Sequence, residues 1–189
     1  MAETEDDINR PDFHRTVPPG DTVERHVCRQ CGFVRYDNPK VVVGSIVRSG
    51  DKFLLCRRAI HPRRGFWTMP AGYLELNETP DAGARREAME EANAELDLSG
   101  ILAVYSVPRL SQIQVIYRAT LIGGFSPGAE SLEVALFDWD DIPWEDIAFP
   151  SVHWALNHDR QVELGAAVPP FANPGGENGD LLPDGQPLR

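Results

Sequence analysis

Residues 72–94 read GYLELNETPDAGARREAMEEANA, with six acidic side chains, two adjacent arginines and three glutamates within the five residues 87–91. Thr79 followed by Pro80 reads as a helix start, because a threonine hydroxyl caps first-turn N–H groups and the fixed φ of proline suits the first helical position. The small and charged residues that follow predict a helix over about 80–95. On that helix Glu87, Glu90 and Glu91 stand at i, i+3 and i+4 and share one face. Like charges at this spacing repel by about 0.2–0.5 kcal/mol per pair on an exposed helix, a cost that a solvated glutamate-rich face tolerates. The other reading is a hard, oxygen-only ligand set for Mg2+ or Mn2+. Mg2+ often shares its site with substrate phosphates, which suits attack on a phosphoanhydride.

Outward from this stretch, VVVGSIVRSGDKFLLCRRA (41–59) predicts two strands joined by a hairpin turn at SGD. GFWTMPAGYLELN fits short strand and loop. ILAVYSVP and IQVIYRATLIG are rich in β-formers, EVALFDWDDI reads as a further strand and turn, and SVHWALNHDRQVEL returns to a helical pattern. Strands around two helices predict an α/β fold in which a mixed sheet is layered with helices. The expected organisation is an N-terminal arm over 1–37, a compact domain over 38–163 and a Pro/Gly-rich tail over 164–189, extended or disordered.

The spacing within 72–94 is Gly72, five residues, Glu78, seven residues, Arg86-Glu87, two residues, Glu90-Glu91. It resembles the signature of the Nudix hydrolases, GX5EX7REUXEEXGU, where U is a bulky aliphatic residue. All the glycine and charged anchors up to the glutamate pair are present. Ala88 and Ala94 are smaller than the usual aliphatics, and Asn93 stands where the family has glycine; asparagine also tolerates left-handed backbone. The resemblance implies a Nudix-type α/β/α sandwich, with Glu87, Glu90 and Glu91 as metal ligands and Glu87 and Glu91 in the catalytic set. It also implies Gly72, Glu78 and Arg86 as structural supports, Glu78 and Arg86 pairing to position the loop against the helix. A further carboxylate, as base or extra ligand, is expected from the loop after the sheet, where PGAESLEV offers Glu130 and Glu133. Arg57, Arg58, Arg63 and Arg64 form a basic cluster suited to phosphates. Strand alternation lets only one of Arg57 and Arg58 face the substrate, and Arg58 and Arg64 are the substrate-binding candidates.

Further stretches, CxxCG at 28–32, YDNPKVVVG, LLCRRAI and the late LFDWDDIPWEDIAF, resemble a Nudix subgroup with an N-terminal zinc ribbon, associated with ADP-ribose and FAD hydrolysis. That implies a small ribbon-like appendage and a nucleotide-sugar or dinucleotide substrate, with Mg2+ or Mn2+ as cofactor and a homodimeric assembly. A structural zinc needs four ligands. Cys28 and Cys31 supply two, Asp6 and Asn9 stand where the subgroup carries its other pair, and His14 and His26 are the remaining candidates, so zinc is not expected. Two alternatives stay open: a Nudix-fold nucleotide sensor without turnover, and a housecleaning nucleoside triphosphatase.

Composition narrows the classes. A formal net charge of −11 repels nucleic acid phosphates, although bound cations can reverse the local sign for a phosphorylated small molecule. No apolar run is long enough for a membrane span, and the acidic MAETEDDINR lacks the apolar core of a secretory signal. The expected location is the cytoplasm.

Overall fold

The computed structural model describes residues 12–179 of the 189-residue chain. The chain divides into two compact units between Asn38 and Pro39.

In the N-terminal unit, β1 (Phe13–Thr16), β2 (Arg25–Cys28) and β3 (Val34–Arg35) form a three-stranded antiparallel sheet. The CxxCG stretch makes the turn from β2 to β3. The Cys28 carbonyl accepts from Gly32 N at 2.9 Å, and Gly32 takes φ +72°, a conformation that costs glycine little.

The second unit is built on one mixed sheet. Its strands are β4 (Lys40–Ser49), β5 (Lys52–Arg58), β6 (Trp67–Thr68), β7 (Ala71–Tyr73), β8 (Glu95–Val107), β9 (Gln112–Ile122) and β10 (Ser131–Phe137). The order is β10-β5-β4-β9-β8, with β6 beside β5 and β7 beside β4. Lys40–Arg48 of β4 runs parallel to Gln112–Thr120 of β9; the other pairings are antiparallel. Two α-helices occur among the described residues, α1 (Pro80–Ala92) and α2 (Pro150–Glu163). Ile46, Phe53 and Leu55 pack in one cluster with Val152, Ala155 and Leu156 of α2. Their strand neighbours Val47, Leu54 and Cys56 pack in another with Ala88 and Ala92 of α1. The sheet is therefore covered on both faces, giving the expected α/β/α sandwich. It also explains why β4 and β5 read as nearly continuous apolar runs rather than alternating ones.

Helix α1 starts as read, with the Thr79 hydroxyl accepting from Ala82 N at 3.4 Å and Pro80 in the first position. It ends earlier than residue 95, because Asn93 adopts φ 45°, ψ 38° and its N–H closes back on the carbonyls of Ala88 and Met89. Ala88 and Ala94, the small residues that depart from the signature, are buried together with Ala92 in the cluster between α1 and the sheet, so their size permits close packing there.

The start of the Pro/Gly-rich tail is extended, and it is attached to the domain. Phe171 N donates to Leu102 O at 2.8 Å and Val104 N donates to Phe171 O at 2.9 Å. Asn173 pairs through its side-chain amide with both backbone groups of Ser106. The Phe171 ring stacks on His158 of α2 with centroids 4.2 Å apart. These contacts cover part of β8, which is otherwise an edge strand with unpaired backbone groups.

Candidate active site

The 72–94 stretch forms β7, a loop and α1, and one arginine ties the three together. Arg86 Nε donates to Glu78 Oε1 at 2.9 Å and its Nη2 to Glu78 Oε2 at 3.1 Å, a two-pronged pairing. Nη2 also donates to the Tyr73 carbonyl at 3.0 Å. Nη1 donates to Glu87 Oε1 at 2.7 Å and Glu90 Oε2 at 3.0 Å. Pairing with Arg86 holds the Glu78 carboxyl below its ordinary range.

Glu87, Glu90 and Glu91 line one cavity of about 1000 Å3, together with Arg58, Arg86 and Glu130. Gly72 makes this possible: a Cβ there would stand 2.4 Å from Glu87 Oε2, so any side chain would displace the carboxylate. Glu87 and Glu91 are buried, at 8% and 5% exposure, whereas Glu90 is exposed. Burial pushes the Glu91 carboxyl up to about 8; the Ala71 N–H donated to Glu91 Oε2 at 3.1 Å opposes that rise and the charge of Glu87 adds to it. Burial also raises Glu87, against the pull of Arg86. Arg86 bonds directly to Glu87, whereas Arg58 acts on Glu91 through its charge alone, so Glu91 is the more poorly compensated of the two.

The loop after the sheet reaches the same cavity. Ser126 N donates to Ala92 O and Gly128 N to Glu91 O, both at 2.9 Å, and the Asn93 side-chain amide donates to the carbonyls of Ser126 and Pro127. A Cβ at Gly128 would lie 1.8 Å from Glu90 O, so only glycine can approach the helix end this closely. The Glu130 carbonyl accepts from Ala59 N at 2.7 Å, and its side chain lines the cavity.

Two of the expected residues lie elsewhere. Glu133 does not line the cavity; it sits on β10 opposite Arg57, with its carboxylate 3.6 Å from that guanidinium. Arg64 is exposed and outside the lining, because Arg63 turns the loop with φ 62° and itself faces the cavity. Strand alternation sends Arg57 outward and Arg58 into the cavity wall, where Arg58 Nε donates to Pro62 O at 2.8 Å. Sequence reasoning placed Arg63 in the basic cluster but chose Arg64 as the candidate, and it missed Gln112 and Gln114 as cavity-lining residues. Polar residues at alternate β9 positions, in line with apolar Ile116, were the available signal.

In the N-terminal unit, register keeps His26 on the same face as Cys28 and separates His14 from both. Phe13 pairs with Cys28 and Arg15 with His26, so His14, opposite Val27, belongs to the other face of the ribbon from Cys28. His26 Nδ1 lies 3.3 Å from Asp37 Oδ2. Cys28 and Cys31 are free thiols, the first buried and the second exposed. Asp6 and Asn9 lie outside the described residues.

The NUDIX domain family matches residues 38–155, more than half of the chain. The chain belongs to the Nudix family. A second family, Nudix N-terminal, of zinc-ribbon type, matches residues 11–37 of this Nudix protein. An ADP-ribose pyrophosphatase from Methanocaldococcus jannaschii is 31% identical over 113 residues, 57% of this chain and 67% of that protein. A MutT-like protein from Streptomyces ambofaciens is 31% identical over 102 residues, 53% of this chain and 64% of that protein. The chain thus spans about two thirds of the length of these relatives. The crystal structure of a Nudix hydrolase from Nitrosomonas europaea superposes with a TM-score of 0.82 at 44% identity, covering 87% of this chain and 94% of the other. Among the described residues no helix is long and apolar enough to cross a membrane.

Nudix enzymes generally use divalent cations, and the donor set of this chain fits one. Glu87, Glu90 and Glu91 offer carboxylate oxygens only, two of the three are buried, and they share a cavity wall. Among the described residues no three His, Cys, Asp or Glu side chains are gathered into a ready-made cage; Arg86 occupies the space between Glu87 and Glu90 and bonds to both.

Proposed function

We propose that this Nudix pyrophosphatase hydrolyses the diphosphate of ADP-ribose, FAD or both in a Mg2+-dependent reaction. The products are AMP with ribose 5-phosphate, or AMP with FMN. The observation that carries this reading is the meeting of Glu87, Glu90, Glu91, Glu130 and Arg58 on one cavity large enough for a dinucleotide. The archaeal relative named as an ADP-ribose pyrophosphatase supports the substrate class.

Glu87, Glu90 and Glu91 would hold the cation, which supplies neutralisation of the diphosphate charge and makes water more acidic. Arg58 donates to phosphate oxygens as they enter. Glu130 accepts the proton of the attacking water; the P–O–P bond breaks and the leaving phosphate takes its electron pair. Arg86 stays paired to Glu78 and holds the β7–α1 loop in place. A bound cation would offset the repulsion between these carboxylates and an incoming diphosphate. The reading also includes cytoplasmic location, carried from the sequence, and a homodimer, carried from the family resemblance.

The test is product analysis with Mg2+ over ADP-ribose, FAD, NADH, dinucleoside polyphosphates and deoxynucleoside triphosphates. AMP from ADP-ribose or FAD is expected. Pyrophosphate from a deoxynucleoside triphosphate as the main product would assign a triphosphatase instead, and tight binding with no turnover would assign a sensor.

A further inference from the structure

The cavity that holds the carboxylates continues across the sheet face beneath α2, and its character changes along the way. The row Tyr73–Val42–Gln114 runs across β7, β4 and β9 in register. Next to Tyr73 is Gly72, in contact range of Glu87. Gln114 is two strand spacings from Tyr73, about 10 Å, and lines the same cavity as Glu87. Around this far end the lining includes the apolar Val42, Val107, Leu110 and Val152 beside the polar Gln112 and Ser151.

Within that end, Gln114 Oε1 is buried and has no hydrogen-bond partner. Its neighbour Gln112 is committed, donating through Nε2 to the Tyr73 hydroxyl at 3.1 Å. Buried polar atoms are nearly always paired, and an unpaired carbonyl on a cavity wall calls for a donor from outside the chain. The position follows from alternation: Gln112, Gln114 and Ile116 share a strand face, and Ile116 belongs to the core under α2.

We propose that Gln114 reads the nucleobase of the substrate, its Oε1 accepting from the exocyclic amine of adenine and its Nε2 donating to N7. This proposal rests on the reading above, in which the substrate is an adenine-containing diphosphate. A glutamine amide matches this adenine edge as a donor–acceptor pair. Hypoxanthine presents two acceptors on the same edge, so one would face Oε1 without a proton between them. The apolar side chains of the lining cover the flat faces of the base, and the charged end keeps the diphosphate.

The experiment is calorimetric titration of AMP and IMP, in Mg2+, into the wild-type chain and Gln114→Met. AMP binding at least ~10-fold tighter than IMP is expected, within the usual range for one bidentate base contact. In Gln114→Met, AMP is expected to weaken ~10-fold, IMP to stay within about threefold, and the melting temperature not to fall, because the unpaired carbonyl is removed. Equal wild-type affinities for AMP and IMP, no measurable AMP binding, or a preference that survives in Gln114→Met would each overturn the proposal. The wild-type comparison decides even if the variant does not fold. AMP selectivity without hydrolysis of ADP-ribose or FAD would keep the role of Gln114 and sink the proposed reaction; hydrolysis with equal AMP and IMP binding would do the reverse.

Discussion

Glu91 is held at a cost to the cation-free protein. It is 5% exposed, close enough to Glu87 to feel its charge, and receives one backbone N–H at 3.1 Å. A site arranged this way stores instability that a bound cation relieves, the usual exchange of stability for function. Glu91→Gln keeps the size and the acceptor for Ala71 N while removing the charge. Its turnover of ADP-ribose or FAD is expected to fall at least ~100-fold, since a hard cation loses a charged ligand. In EDTA the same variant is expected to be more stable by about 1 kcal/mol, or about 2–4 °C for a chain of this size. Steady-state kinetics in saturating Mg2+ and a thermal melt in chelator check both halves. Unchanged kinetics would remove Glu91 from the ligand set, and a lower melting temperature in EDTA would show that burial of its charge is not destabilising.

At the scale of elements, the end of α1 and the 126–130 loop behave as one piece. Asn93 supplies the left-handed turn that stops the helix and, unlike the glycine of the family signature, adds a side-chain amide that donates to Ser126 O and Pro127 O. With Gly128 N on Glu91 O, these bonds place the stretch carrying Glu130 beside the carboxylates. Asn93→Gly keeps the backbone conformation and loses the two amide bonds. It is expected to lower kcat about three- to tenfold with little change in KM, and to cost about 1 kcal/mol of stability, as exposed hydrogen bonds do. A kcat–KM split measured beside a denaturation curve separates positioning from simple weakening. If stability falls while kcat holds, the amide serves the fold and not the site.

For the whole molecule, the test concerns the N-terminal unit. Cys28 lies on one face of the β1–β2 ribbon, His14 belongs to the other, and His26 is beside Asp37. Two thiolates are half of a structural zinc site. The full chain is expected to carry no stoichiometric zinc by elemental analysis, and the Cys28→Ser/Cys31→Ser double variant to keep its kcat within about twofold, because the proposed chemistry lies in residues 58–130. One tightly bound zinc per chain, lost in Cys28→Ser, would show that the ligand count was misjudged. Loss of activity with retained folding in the double variant would show that the ribbon helps to build the substrate site.

Residues 72–94 by themselves determined the family, the helix start at Thr79–Pro80 and the shared face of Glu87, Glu90 and Glu91, because short-range spacing on a helix dictates which side chains are neighbours. The two strands before this stretch were equally legible, their apolar runs following from burial on both faces. Tertiary structure alone chose Glu130 over Glu133 for the cavity: the two are three residues apart, and a β-bulge with pairing to Arg57 turns the second away. It likewise chose Arg63 over Arg64, through a left-handed turn that no local pattern announced. Alternation marks the face that Gln112, Gln114 and Ile116 share, but only the parallel register of β9 beside β4, some seventy residues away in sequence, brings Gln114 to the cavity. Arg86 shows the same division: its pairing with Glu78 was readable from the signature and its i,i+4 bond to Glu90 from helix spacing, whereas its bond to the Tyr73 carbonyl depends on how the β7–α1 loop folds against the helix.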